Sequence, residues 1–229
     1  MHFSRSQGQA RALSQGLTLP EVIVVIAILV LLAAILLLPA LTAAHRKAAR
    51  IRCVNNLKED GLAMKIWEGD HNDQYPQKIS ITNGGADELL AAGNVAAYFQ
   101  IMSNELSAPK FLTCPSDDER VPAKSWAGLN NKNISYFVAP SSSDAYPQMP
   151  LSGDDNFAID GVPVKPGVLN LWTNHSISWT AKRHYYGGNV ALADGSVAQL
   201  SVNGVANALG QITNLVGQTD TPTNVVVIP

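Results

Sequence analysis

The stretch that decides the reading is Gly16-Leu17-Thr18-Leu19-Pro20-Glu21, followed without interruption by the apolar run VIVVIAILVLLAAILLL from Val22 to Leu38. Such a run demands a hydrophobic surrounding of its own, so a wholly soluble two-domain enzyme does not fit. Residues 1–16 contain Arg5 and Arg11, no acid and no apolar run, the makeup of a targeting leader. An ordinary secretory peptide places its small residues after the apolar stretch. Here Gly16 precedes it, and the stretch exceeds the usual upper length of about 15 residues. Glu21 lies at the edge of the run, and a charge at the centre of a membrane helix costs on the order of 3 kcal/mol, so a partner or an interfacial location is required.

Working outward, the net charge of −2 hides a split. Up to Lys58 there are seven Lys/Arg against Glu21 alone; from Glu59 onward nine bases face seventeen acids, 9 − 17 = −8. A basic neck thus carries an acidic remainder, which excludes nucleic acid as the expected partner, because phosphate recognition needs clustered Lys/Arg.

The Gly16–Glu21 segment and the run behind it resemble the type IV prepilin signal shared by pilins and type II secretion pseudopilins: glycine, a cut, an apolar residue, Thr-Leu, and glutamate at the fifth mature position. Leu17 departs slightly, since Phe or Met is commoner there. The resemblance implies that a membrane-embedded prepilin peptidase cuts between Gly16 and Leu17 and methylates the new amine. It also implies that this amine on one subunit pairs with Glu21 of its neighbour during assembly. Five bases follow the span (Arg46, Lys47, Arg50, Arg52, Lys58) and two precede it, so the positive-inside rule alone would leave the C-terminal part in the cytoplasm. The prepilin resemblance implies the reverse: a single pass through the inner (cytoplasmic) membrane, leader inside and head outside.

With no strong breaker before Trp67, one helix is expected from Thr18 to about Glu68, kinked at Pro39. Cys53, Leu57, Gly61 and Met64 recur on one face, leaving a stripe to pack on the head. The segment Asp70–Pro76 ends the helix. A second helix is expected over Ala86–Leu106, with strands at Lys110–Cys114, Ile134–Val138 and Ile177–Trp179. Asn189–Ala193 and Ser196–Leu200 form a hairpin whose Asp194-Gly195 loop suits a type I′ turn with Leu192 opposite Val197. Residues 140–167 and 217–229 are expected as loops or tail. The domains are then a leader at 1–16, a transmembrane and assembly helix at 17–40, its amphipathic continuation at 41–70, an α+β head at 71–216 and a tail at 217–229. This is the pilin-like lollipop, a long helix packed on a small antiparallel sheet.

The head also resembles a bacterial prepilin-like family in Cys53-Val54-Asn55-Asn56-Leu57-Lys58, Tyr75-Pro76, Phe111-Leu112-Thr113-Cys114-Pro115-Ser116-Asp117, Ile134-Ser135-Tyr136-Phe137, and His184 with nine residues before Asp194-Gly195. That resemblance implies an exported pilin-like subunit.

Cys53 and Cys114 are the only cysteines. An even count in an exported head favours a disulfide over two free thiols, and no CxxC spacing points to a metal. His184 and Asp194 could be a catalytic or metal pair, but a histidine that packs on the hairpin is the simpler reading, and no nucleophile elbow accompanies them. Major pseudopilins carry Ca²⁺ in a C-terminal loop, and Asp154, Asp155 and Asp160 supply hard oxygen ligands, without the EF-hand order. Trp126, Trp172 and Trp179 fit core packing better than a sugar-binding surface. The expected function is a structural, non-enzymatic subunit of a type IV pilus or type II secretion pseudopilus. Its partners would be prepilin peptidase, other pilin subunits and membrane lipid. The alternative is a membrane-tethered extracytoplasmic binding protein or hydrolase.

Overall fold

A computed structural model of the chain describes residue 16 and residues 18–171, 175–201, 204–214 and 225–229. Helix α1 runs over Leu19–Gly69 and contains Pro39. The chain divides into two units, one ending at His45 and one spanning Arg46–Pro229. In the first, α1 exposes every side chain from Val22 to Leu41, and it is long and apolar enough to cross a membrane. Aliphatic surface of that extent suits lipid or other apolar helices around it.

In the second unit, α1 buries Cys53, Leu57, Gly61 and Met64 along one stripe, with Asn56 and Asp60 buried beside them. Helices α2 (Asp87–Ala91) and α3 (Val95–Ile101) follow. The single helix expected over Ala86–Leu106 is broken because Gly93 takes φ +75° and the Asn94 side chain caps α3 by accepting from the Ala97 amide at 3.0 Å. Pro109–Leu112 is a 3-10 turn where a strand was expected; Pro109 fixes φ and removes a ladder donor.

The strands are β1 (Tyr136–Val138), β2 (Pro150–Asp154), β3 (Phe157–Ile159), β4 (Val162–Pro163), β5 (Gly167–Asn170), β6 (Ile177–Trp179), β7 (Gly188–Leu192), β8 (Val197–Leu200) and β9 (Val225–Ile228), with helix α4 (Gly204–Asn214) before the last. One sheet has the order β5-β9-β1-β2-β7-β8 and a second the order β4-β3-β6, with antiparallel pairing throughout. The protein is thus α+β. Segments expected as loop and tail supply β2, β3, β4 and β9. Ser152, Gly153 and Asp154 hide β2 from composition, and β9 is the short β-branched run Val225–Ile228.

Side-chain alternation divides the core between the two faces of the large sheet. Val138, Leu151 and Val227 join Met64, Trp67, Tyr98 and Phe99 on the helical side. Phe137, Val190, Leu192 and Val226 join Phe157, Trp179, Val205 and Leu209 on the other.

The β7–β8 hairpin forms, but its register places Val197 opposite Ala191 rather than Leu192. Gly195 takes φ +80° while Asp194 stays outside the left-handed region. The Gly195 amide donates to the Leu192 carbonyl and the Leu192 amide to the Ser196 carbonyl, both at 2.9 Å. This is a three-residue loop with one left-handed glycine instead of a type I′ turn, which moves the register by one residue on one strand.

Candidate functional site

Gly16 is exposed, and a Cβ built on it meets nothing within 4 Å among the described residues. Leu17 lies outside the described residues. Glu21 stands in the exposed first turn of α1, where Oε2 accepts from the Thr18 amide at 2.8 Å and from the Thr18 hydroxyl at 2.7 Å. This closes one of the backbone donors that a helix start leaves open.

In the second unit, Cys53 on α1 and Cys114, just past the 3-10 turn, are joined by a disulfide with Cα atoms 5.1 Å apart, inside the usual range for a bridge. His184 meets this pair from the β6–β7 loop: Nε2 is 3.4 Å from Cys114 Sγ and 3.3 Å from Asp154 Oδ2, with side-chain exposures of 2% and 0% for His184 and Asp154. Asp154 Oδ2 also accepts from the Asn189 amide and from Asn189 Nδ2, each at 2.8 Å. The Tyr136 hydroxyl donates to Cys53 Sγ at 3.7 Å.

Why the chain presents His184 here follows from its neighbours. Arg183, Tyr185 and Tyr186 adopt φ of 60°, 51° and 57°, left-handed backbone that costs non-glycine residues on the order of 1 kcal/mol each. A buried ion cluster holds the loop in that shape. Arg183 Nη2 lies 2.9 Å from Asp117 Oδ2 and also pairs with Asp155, while its Nη1 donates to the Ser135 carbonyl at 2.8 Å. Arg120 bridges the same two acids at 3.2 and 2.8 Å. Burial pushes the Asp117 carboxyl up, but Arg183, the Ser135 hydroxyl and Arg120 outweigh it and hold the group below the ordinary carboxylate range.

The structure therefore separates several residues that sequence reasoning had grouped. His184 pairs with Asp154, not Asp194, whose exposed carboxylate accepts from the Ser196 amide at 2.8 Å within the hairpin loop. Nor do the three acids weighed for calcium share a centre. Asp154 faces His184 and Asn189, Asp155 is taken by Arg120 and Arg183, and Asp160 is exposed and bound by His175 Nδ1 at 2.5 Å and the Ser176 amide at 2.9 Å. Sequence reasoning missed Asp154 as the histidine's partner, as well as Arg183, Arg120 and Asp117. Only the adjacency of Arg183 to His184, and of Asp117 to the Cys114-Pro115 turn, hinted at them.

No nucleophilic serine hydrogen-bonds to this His–Asp pair among the described residues, and the imidazole is shut from solvent. The arrangement cross-links α1 to the sheet. No protein-family model, curated protein or solved structure matches the chain.

Proposed function

We propose that this chain is a structural subunit of a type IV pilus or type II secretion pseudopilus, stored in the inner membrane by its N-terminal helix and polymerised through it. The observation that carries the reading is the register of Gly16, Thr18-Leu19 and Glu21 at the edge of one apolar run, continued as an apolar helix with all its side chains exposed from Val22 to Leu41. An apolar surface that includes a carboxylate at its N-terminal edge suits an assembly of like helices, in which each acid meets the freed amine of a neighbour. The pilin-like lollipop, with the head outside the membrane, belongs to this reading. The rival, a membrane-tethered binding protein or hydrolase, calls for an exposed groove that holds His184, Asp194 and acidic residues together; a buried His184 standing apart from the exposed Asp194 favours the filament.

Co-expression with a prepilin peptidase tests the reading. The expected product starts at Leu17 with a methylated amine by mass spectrometry and is recovered in a sheared filament fraction. A chain that keeps its first sixteen residues, or is cut after the apolar run, refutes it.

A further inference from the structure

We infer that, with Cys53 and Cys114 in the thiol state, the head holds a tetrahedral zinc-type ion between Cys53 Sγ, Cys114 Sγ, His184 Nε2 and a carboxylate oxygen of Asp154. The four ligand atoms lie within 4.8 Å of one another and all four residues are buried. Two of the separations are measured directly, 3.4 Å from Cys114 Sγ to His184 Nε2 and 3.3 Å from that nitrogen to Asp154 Oδ2. Ligands about 2.0–2.3 Å from a tetrahedral zinc stand about 3.3–3.8 Å apart, which these two pairs match, while the two sulfurs, bonded to each other in this structure, part to that spacing once reduced. Two thiolates, an imidazole and one carboxylate form a donor set that suits zinc and not calcium or magnesium, which take oxygen.

Three further features fit a metal centre. Asp154 Oδ1 is buried with no hydrogen-bond partner, a deficit that coordination would remove. Asn189 orients the Asp154 carboxylate through Oδ2 and the Tyr136 hydroxyl reaches Cys53 Sγ, the outer hydrogen bonds that aim ligands at a metal. Cys114 also lines a surface cavity of about 460 Å³ with Arg52, Asn56, Lys110, Phe111 and Pro115, which brings an ion or a thiol reagent up to this cysteine.

Binding is redox-neutral. Two S–H bonds break, two metal–sulfur bonds form and two protons leave to solvent. On the export reading proposed above, the chain emerges with both thiols and the ion binds first; the disulfide then forms as a disulfide donor takes up the two electrons with two protons from solvent and leaves as its dithiol, and the ion returns to solvent. The disulfide form rejoins this state only through a dithiol donor, which becomes a disulfide as Cys53 and Cys114 take up its two electrons and two protons. The head is thereby closed at one point by either of two cross-links, chosen by the redox state of the surroundings.

The test uses the full chain in detergent, reduced with a phosphine, which leaves as its oxide with water supplying the oxygen and the two thiol protons. Cobalt(II) is titrated in, then displaced by zinc. One Co²⁺ per chain is expected, with a thiolate charge-transfer band and visible d–d bands of tetrahedral intensity, and the disulfide form should give neither. His184→Ala and Asp154→Asn should weaken cobalt affinity at least ~10-fold while both thiols remain titratable. Zinc should also shield both Cys53 and Cys114 of the reduced wild-type chain from alkylation, a readout that does not depend on how the variants fold. A reduced chain that takes no cobalt, thiols that zinc leaves unshielded, or an unchanged spectrum in both variants would overturn the site.

Discussion

Nε2 of His184 stands 3.3 Å from Oδ2 of Asp154, while Asp194, ten residues after the histidine in sequence, spends its carboxylate on the Ser196 amide of its own loop. The two halves of the H-x9-D-G element therefore act separately. The histidine braces the buried junction of α1, β2 and the disulfide, and the Asp-Gly pair turns a hairpin. Asp194→Ala should lower stability by no more than about 1 kcal/mol, because it loses only exposed hydrogen bonds, one from the Ser196 amide and a long one from Gln148 Nε2 at 3.5 Å. His184→Ala should lose more, since it empties a buried site and leaves Asp154 with less compensation. Urea midpoints of the two variants in the same detergent check the order; equal losses would mean that the turn and the histidine act as one unit.

Arg183 carries two buried carboxylates at once, Asp117 and Asp155, each with side-chain exposure of 2%. Arg183→Ala should destabilise by about 3–5 kcal/mol, because both acids lose a counter-charge and Arg120 alone remains. Arg183→Lys should recover only part of that, since an ammonium lacks the planar fork that serves two acids and the Ser135 carbonyl together. Denaturant titration of the three proteins, with the same midpoint for alanine as for wild type as the contrary result, decides it.

Close backbone approach makes two glycines differ in sign. A Cβ at Gly188 would stand 2.4–2.6 Å from ring atoms of Trp179, whereas one at Gly61 would meet only the Ala191 Cβ at 3.9 Å. Gly188→Ala should destabilise by about 1–3 kcal/mol through overpacking, and Gly61→Ala should stabilise by up to about 1 kcal/mol through helix propensity. Thermal unfolding monitored by circular dichroism separates the two directions.

Asp60 is buried on α1 with no hydrogen-bond partner for either oxygen. Desolvation raises its pKa from the ordinary 3.8 to about 7, and the Ser152 hydroxyl offsets only part of that rise. Below about pH 4 the acid is protonated in both folded and unfolded chains, so its ionisation does not affect stability. Between about pH 4 and 7 the unfolded chain releases the proton and the folded one retains it, so stability falls as pH rises, by up to about 4 kcal/mol in all. Asp60→Asn should flatten that segment of a urea-midpoint profile; an unchanged slope would place the pH dependence on other groups.

How much of this was legible in the sequence follows from the range of each interaction. The long helix, its buried stripe through Cys53, Leu57 and Met64, and the Asp194-Gly195 reversal are local patterns with a 3.6-residue period or a turn signature, and they could be read directly. The pairing of β9 with β1 and β5 could not, because Val225–Ile228 joins strands far upstream and gives no local sign of its neighbours. The cluster around His184 is hidden for the same reason. Asp154 lies thirty residues before its histidine, and Asp117, Asp155 and Arg183 come from three loops that meet only once the sheet is built. Polar residues in such positions read as solvated turns until burial is known.

Processing and assembly should fail at separable residues. Gly16 is exposed, and a Cβ on it meets nothing within 4 Å among the described residues, so on the prepilin reading a bulky side chain there acts where a peptidase must bring its catalytic groups against the backbone. Gly16→Trp is therefore expected to leave full-length precursor in the membrane. Glu21 acts later. Its carboxylate accepts from the Thr18 amide and hydroxyl within its own chain, a local contact at the exposed helix start, whereas removing a charge favours insertion into the bilayer. Glu21→Val should therefore insert and be cut, yet lose the attraction of its acid to the amine of a neighbouring subunit. Immunoblots of membrane and sheared-surface fractions separate these outcomes. A normally processed Gly16→Trp chain would refute the prepilin reading, and filaments of Glu21→Val in wild-type amounts would show that subunits are recruited without the acid.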